Sequence, residues 1–156
     1  MNPSMDINRA APATASGEAL IDADPETVFS VISAIEAWPS WNPDVKSAEL
    51  EGPVEPDTVF RWKAGLSSLT STLQVVEQPH ESHGPAARWA SRRFTCSASS
   101  RASGGTLARS EESWEGLIAS VLKGWSRRTL EKGIDDVLAH LKVESERRAG
   151  GASAWR

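Results

Sequence analysis

Hydrophobic and polar positions alternate in short runs along the first half of the chain, and Gly, Pro or Asp closes most of them. Ala15, Gly17, Ala19 and Ile21 recur at every second residue, which puts them on one face of a strand over Ala15–Asp22. Asp24-Pro25-Glu26 then forms a helix start: a capping carboxylate, a proline suited to the first helical position, and an acid near the positive end of the dipole. Val28, Phe29, Val31 and Ile32 follow at three- and four-residue steps, so the spacing predicts an amphipathic helix over Pro25–Ser33. Pro39 and Pro43 forbid a long helix after it, and Ile35–Pro43 predicts a short helix followed by a turn.

Strand signals dominate from there. Val45–Leu50 sets Val45, Ser47 and Glu49 opposite Lys46, Ala48 and Leu50, and Gly52-Pro53 ends it. Over Thr58–Ala64 the alternation puts Phe60, Trp62 and Ala64 on one face. Gly65 makes a turn into Ser67–Glu77, whose expected inner face is Leu69, Ser71, Leu73 and Val75, so the two strands predict a hairpin. Residues 106–116 predict another strand, with Ala108, Ser110, Glu112 and Trp114 sharing a face. A helix is expected over Leu117–Lys142, a rod of about 39 Å. Its apolar residues form two clusters rotated about the axis, around Ile118–Trp125 and around Leu130–Leu141, which predicts a bend or a change of partner near Gly124–Arg128. Residues 1–13 are expected to be a disordered arm, 14–142 the domain, and 143–156 a disordered tail.

Residues 82–103 fit neither pattern. They are rich in Ser, Ala and Arg, hold the only Cys, and show no helix or strand period. With suitable codons, the bases for Glu81–Ala102 read from the third one onward encode an apolar strand, a Gly turn and a strongly alternating strand, with the same number of residues, rejoining the chain at Gly104-Gly105-Thr106. The expectation is therefore that the written residues lack two strands that a shifted frame would restore. Sequencing the nucleic acid across codons 81–104 decides between the frames.

Composition narrows the function classes. The chain has 156 residues, enough for one domain, with 39% hydrophobic residues to build a core. A net charge of -4 excludes the basic surface usual in general nucleic-acid binders, so no nucleic-acid partner is expected. A single cysteine excludes an internal disulfide framework. No apolar run reaches the ~20 residues of a membrane helix, and the N-terminus lacks the features of a secretory signal, so a cytoplasmic protein without integral membrane association is expected. The aromatic complement is seven Trp, three Phe and no Tyr, which suits bulky packing or the lining of a pocket.

The order of elements is strand, two short helices, a run of antiparallel strands and one long helix, which predicts an α+β fold. A curved sheet around a helix leaves room for a ligand cavity. Trp38 and Trp41, in Trp38-Pro39-Ser40-Trp41-Asn42-Pro43, are candidates both for anchoring the short helix and for touching a ligand, with Asn42 capping or turning the chain. Glu112 shares the parity of Ala108 and Trp114; a carboxylate facing an apolar interior would have a raised pKa or need a partner, and it could orient a ligand hydroxyl or act as a general acid or base. The other reading turns Glu111 inward or pairs Glu112 with an Arg. Ser71 and Ser110 are weaker polar candidates. His80, His83 and Cys96 make a poor metal set, and neither metal nor cofactor is expected.

The stretches ASGEALIDADPETVFSVIS, AWPSWNPDV, FRWKAG, STLQVVEQP, EESWEG and LEKGIDDVLAHLK resemble the START-like helix-grip (SRPBCC) superfamily, in its polyketide cyclase/dehydrase and lipid-transport branch. The resemblance spans residues 14–142 except 82–103. It implies a helix-grip fold: a curved antiparallel sheet wrapped around a long C-terminal helix, with two short N-terminal helices. It also implies a mostly apolar cavity, lined here by Phe60, Trp62, Leu69, Leu73, Val75, Trp114, Ile118, Leu122 and Trp125, with Trp38 and Trp41 near one end. The implied partner is a small hydrophobic ligand such as a lipid, polyketide or isoprenoid, which the protein binds or carries. The implied alternative is a cyclase/dehydratase with Glu112 as the candidate catalytic group.

Overall fold

The computed structural model describes residues 13–77, 86–91, 94–100, 104–114 and 123–153. The chain is α+β, with a seven-stranded antiparallel sheet and a long C-terminal helix among the described residues. Strand β1 (Ala13–Ile21) leads into helix α1 (Pro25–Ser33), a 3-10 turn (Ile35–Ala37) and helix α2 (Trp38–Trp41). Strands β2 (Val45–Leu50), β3 (Val59–Ala64), β4 (Ser67–Glu77), β5 (Ala86–Ser91), β6 (Phe94–Ser100) and β7 (Thr106–Trp114) follow, then helix α3 (Lys123–Ser153). The sheet order is β1-β7-β6-β5-β4-β3-β2, so every neighbour is a sequential hairpin partner except β1, which returns to pair with β7.

Local chemistry sets the first elements. Asp24 caps α1: its Oδ1 accepts from the Thr27 amide at 2.6 Å and its Oδ2 from the Thr27 hydroxyl at 3.1 Å. Pro25 occupies the first turn, and Val28, Phe29, Val31 and Ile32 are buried, as their spacing predicts. Beyond α2, the buried Asn42 side chain accepts from the Asp44 amide at 3.1 Å, an Asx turn that directs the chain into β2. In β2 the simple alternation fails. A register shift between Val45 and Ser47 lets Val45 and Ala48 both be buried while Lys46, Ser47 and Glu49 stay exposed.

The expectation that residues 82–103 lack strands is corrected by the structure. Within this stretch, Ala86–Ser91 and Phe94–Ser100 form β5 and β6, antiparallel and in the middle of the sheet. The ladder is built from backbone groups, and the flanking β4 and β7 each present a row of amides and carbonyls that must be paired. The segment's small residues meet that demand without alternation. Ala19, Ala108, Ala98 and Ala87 are successive register partners across β1, β7, β6 and β5, a row of four alanines.

Helix α3 closes the concave side. It packs mainly on β1, and less on α1 and β7. Leu130, Ile134, Leu138 and Leu141 form its buried stripe. Gly17 makes the close approach possible: a Cβ there would sit 2.8 Å from Ile134 Cγ2 and 3.2 Å from Leu138 Cδ1. Gly105 (φ 78°) makes the turn into β7, where a Cβ would stand 2.7 Å from the Ile21 carbonyl oxygen. Thr106 follows, buried, its hydroxyl donating to Ala23 O at 2.6 Å.

The expected tail is a second correction. Residues 143–153 continue α3, and their charges serve local pairing rather than disorder. Lys142 Nζ donates to Leu20 O at 2.6 Å and to Glu146, whose Oε1 also accepts from the Asp22 amide at 2.9 Å. The helix end is thereby stitched to the β1–α1 turn. The buried Glu144 accepts from Arg147 Nε and Nη2 and from Arg148 Nε, each at 2.8 Å. The Arg147 hydrogen bonds lead, with those of Arg148, in pulling the Glu144 pKa from 4.5 down to about 2. Hydrogen bonds from Lys142 and the Asp22 amide lower that of Glu146. Because the folded-state pKa of Glu144 is depressed, its stabilisation is complete above about 4.5 and is lost as pH falls toward about 2. Glu144→Gln is expected to lower stability at neutral pH and to flatten the loss over that acid range, read from urea midpoints along a pH series. An unchanged acid slope contradicts the assignment.

Candidate functional site

The inner face of β3 and β4 carries an aromatic group built by hairpin register. Phe60 pairs with Ser71 and Trp62 with Leu69, so the predicted residues of the two strands stand side by side. Trp38 reaches this group from α2. Its ring meets Phe60 at 5.7 Å and Trp62 at 5.9 Å between centroids, both edge-on, the geometry aromatic quadrupoles favour. Trp38 Nε1 donates to Ile32 O at 2.9 Å and the residue is buried, so its packing and its hydrogen bond are both satisfied within the fold. Trp62 Nε1 donates to Ser71 Oγ at 3.3 Å. Phe60 and Leu73 are buried, whereas Trp41, Trp62, Leu69 and Ser71 are half-buried.

The second group lies on β7, separated from the first by β5 and β6 in the sheet order. Ser110 is 0% exposed and shares a row with Gly17 and Cys96. Glu112 pairs with the buried Ala15 on one side and Phe94 on the other, so its position is in the inward row that parity predicts. Trp114 pairs with Ala13 at the end of the strand. Arg109, one residue out of phase, faces the other way and pairs with Glu18 at 3.7 Å.

One predicted position falls out of phase. A register shift between Leu73 and Val75 pairs Val75 with Ala90, the row of Thr95 and Glu111, and brings Val76 opposite Trp89 in the row of Cys96 and Ser110. Simple alternation from Leu69 cannot foresee such a bulge. Trp125 lies in the first turn of α3, and Ile118, Leu122, His80 and His83 lie outside the described residues.

Two polar atoms of predicted site residues are buried and have no partner among the described residues: Ser110 Oγ and Trp41 Nε1. Sequence patterning offered both residues as candidates but gave no sign that their polar atoms would be left over. Ser145 Oγ is also unpartnered, but it sits within α3, where a rotated hydroxyl has the carbonyl four residues back in reach. A separate open depression of about 190 Å³ lies between Leu20–Asp22, Gly104–Thr106 and Lys142, outside the predicted lining. Its cation, Lys142, is already engaged by Leu20 O and Glu146.

A curved antiparallel sheet closed by a long C-terminal helix, with short helices after the first strand, is the helix-grip architecture of START-like proteins. Solved structures share it at low identity. A hypothetical protein of Helicobacter pylori superposes with a TM-score of 0.72 at 14% identity, over 93% of this chain and 95% of that one. A STAR-related lipid transfer protein fragment from Xanthomonas axonopodis gives 0.64 at 13% identity, over 88% of each chain. An aromatase/cyclase from Streptomyces gives 0.57 at 14% identity, over 86% of this chain and 94% of that one. No curated protein matches the chain. Residues 12–146 match the family described as polyketide cyclase/dehydrase and lipid transport, and the chain belongs to that family.

Proposed function

We propose that this protein binds, or carries, a small apolar or amphipathic molecule between the inner face of the sheet and α3. The observation that carries the reading is the uneven cover of the inner face. Helix α3 packs on β1, α1 and β7, and makes no comparable contact with β3 or β4 among the described residues. Trp62 and Leu69 of that face accordingly remain half-buried, and so does Trp41 on α2. Apolar surface that the protein's own helix leaves unfilled is what a ligand of matching polarity would cover, at roughly 25 cal/mol per Å². Membership of a family described by polyketide cyclisation, dehydration and lipid transport supports the same class of ligand.

Native mass spectrometry of the purified protein tests this. A stoichiometric apolar species, released unchanged on denaturation, is the expected result. A protein that carries nothing and binds no apolar probe overturns it.

A second reading, a cyclase/dehydratase, is favoured by one observation: Glu112 stands in the inner row, two residues from the buried and unpartnered Ser110. A carboxylate there could take a proton from carbon beside a ketone while a neighbouring hydroxyl steadies the ketone oxygen. Turnover of an aromatic poly-ketone, lost in Glu112→Gln while probe binding persists, would mark the enzyme. Binding without turnover would mark the carrier.

A further inference from the structure

Trp38 and Trp62 meet edge-on where α2 reaches the β3–β4 hairpin, Trp41 follows three residues after Trp38 on α2, and the three indoles divide by their single polar atom. Trp38 Nε1 donates to Ile32 O and Trp62 Nε1 donates to Ser71 Oγ. Trp41 Nε1 is buried and has no acceptor among the described residues, although the residue packs against the same core. An indole N–H can only donate, and a buried donor without an acceptor is rare in folded proteins because its hydration is lost with nothing in return. The spacing of the two tryptophans on α2 is three residues, so they lie on neighbouring parts of one helical face yet play different parts. Trp38 is an anchor. Trp41 is a half-buried side chain whose buried donor has no partner among the described residues.

We infer that Trp41 is a specificity-determining residue whose indole N–H donates to an acceptor oxygen on the bound molecule, so that the site selects carbonyl- or ether-bearing apolar ligands over hydrocarbons of the same shape. The inference rests on the proposed binding site and adds a polar requirement to it. The preferred ligand is therefore an oxygenated, uncharged apolar molecule. The described inner positions of β3 and β4, Phe60, Trp62, Leu69, Ser71 and Leu73, carry no charge.

Fluorene and 9-fluorenone share a ring skeleton and differ by one carbonyl, so titration calorimetry with the two reads the donor directly. The wild-type protein is expected to bind fluorenone roughly tenfold more tightly than fluorene, the scale of one neutral hydrogen bond. Trp41→Phe keeps an aromatic ring, removes the N–H, and is expected to bring the ratio of the two affinities to about one, any loss of ring contact falling on both probes alike. An independent readout in the unaltered protein is its indole ¹⁵N–¹H spectrum: fluorenone, and not fluorene, should move one indole N–H resonance downfield. If both probes bind equally and no indole proton responds, the Trp41 inference is overturned while the binding site stands. If neither probe binds, both fall.

Discussion

Trp38→Ala is expected to be the most damaging single truncation near the site, costing about 3–5 kcal/mol of stability, the usual range for deleting a buried aromatic. Trp38 is only 7% exposed and does three things at once. It fixes α2 against Phe60 and Trp62, it fills the space between α1 and the β3–β4 hairpin, and its N–H satisfies the Ile32 carbonyl near the end of α1. Alanine would leave a cavity and an unpaired carbonyl together. Urea unfolding checks the prediction, with a shifted midpoint and an unchanged slope as the expected form. Trp38→Phe keeps the ring contacts in part and loses the hydrogen bond, so its cost should be smaller, about 1–2 kcal/mol. Equal effects for the two variants would contradict the anchoring role.

Gly17→Val is expected to cost about 3 kcal/mol, at the upper end of overpacking effects. Even a lone Cβ at this position would meet Ile134 Cγ2 at 2.8 Å. The neighbours cannot yield easily: Ile134 and Leu138 are both buried in the stripe by which α3 grips β1. Valine would therefore push the helix off the strand rather than rotate a loose side chain. Gly133→Ala supplies the control. No atom lies within 4 Å of a Cβ there, and the position is an exposed helix interior, so the change should stabilise by up to about 1 kcal/mol. Matching destabilisation at Gly17 and Gly133 would show that the close helix–strand approach does not carry the grip.

Where local pattern and tertiary demand agree, the chain is readable. Helix α1 begins and ends at the predicted residues because capping by Asp24, proline geometry at Pro25 and the stripe of Val28, Phe29, Val31 and Ile32 point the same way. β2 and β4 also match their predicted spans, and Phe60 and Trp62 take the inner positions their alternation implies. Failures have specific causes. The bulges at Val45/Ser47 and Leu73/Val75 change phase without changing composition. β5 and β6 are dictated by unpaired neighbours more than by their own residues. The C-terminal half of α3 looked like a tail because Glu144, Glu146, Arg147 and Arg148 give it a polar surface, yet those charges pair within the helix and with the β1–α1 turn. At the site, residue types were legible, but which indole would be satisfied was not. That depends on Ile32 O and Ser71 Oγ arriving beside Trp38 and Trp62 and on no acceptor arriving beside Trp41.

The most direct measurement of where a ligand sits is a set of intermolecular NOEs between fluorene and the protein. The account predicts NOEs to the methyl groups of the half-buried Leu69 and to the Trp62 indole, and none to Leu66, which stands fully exposed at the tip of the β3–β4 hairpin. NOEs confined to Leu66 and the other exposed apolar residues, Leu20 and Val143, would contradict it and move binding from the interior to the surface.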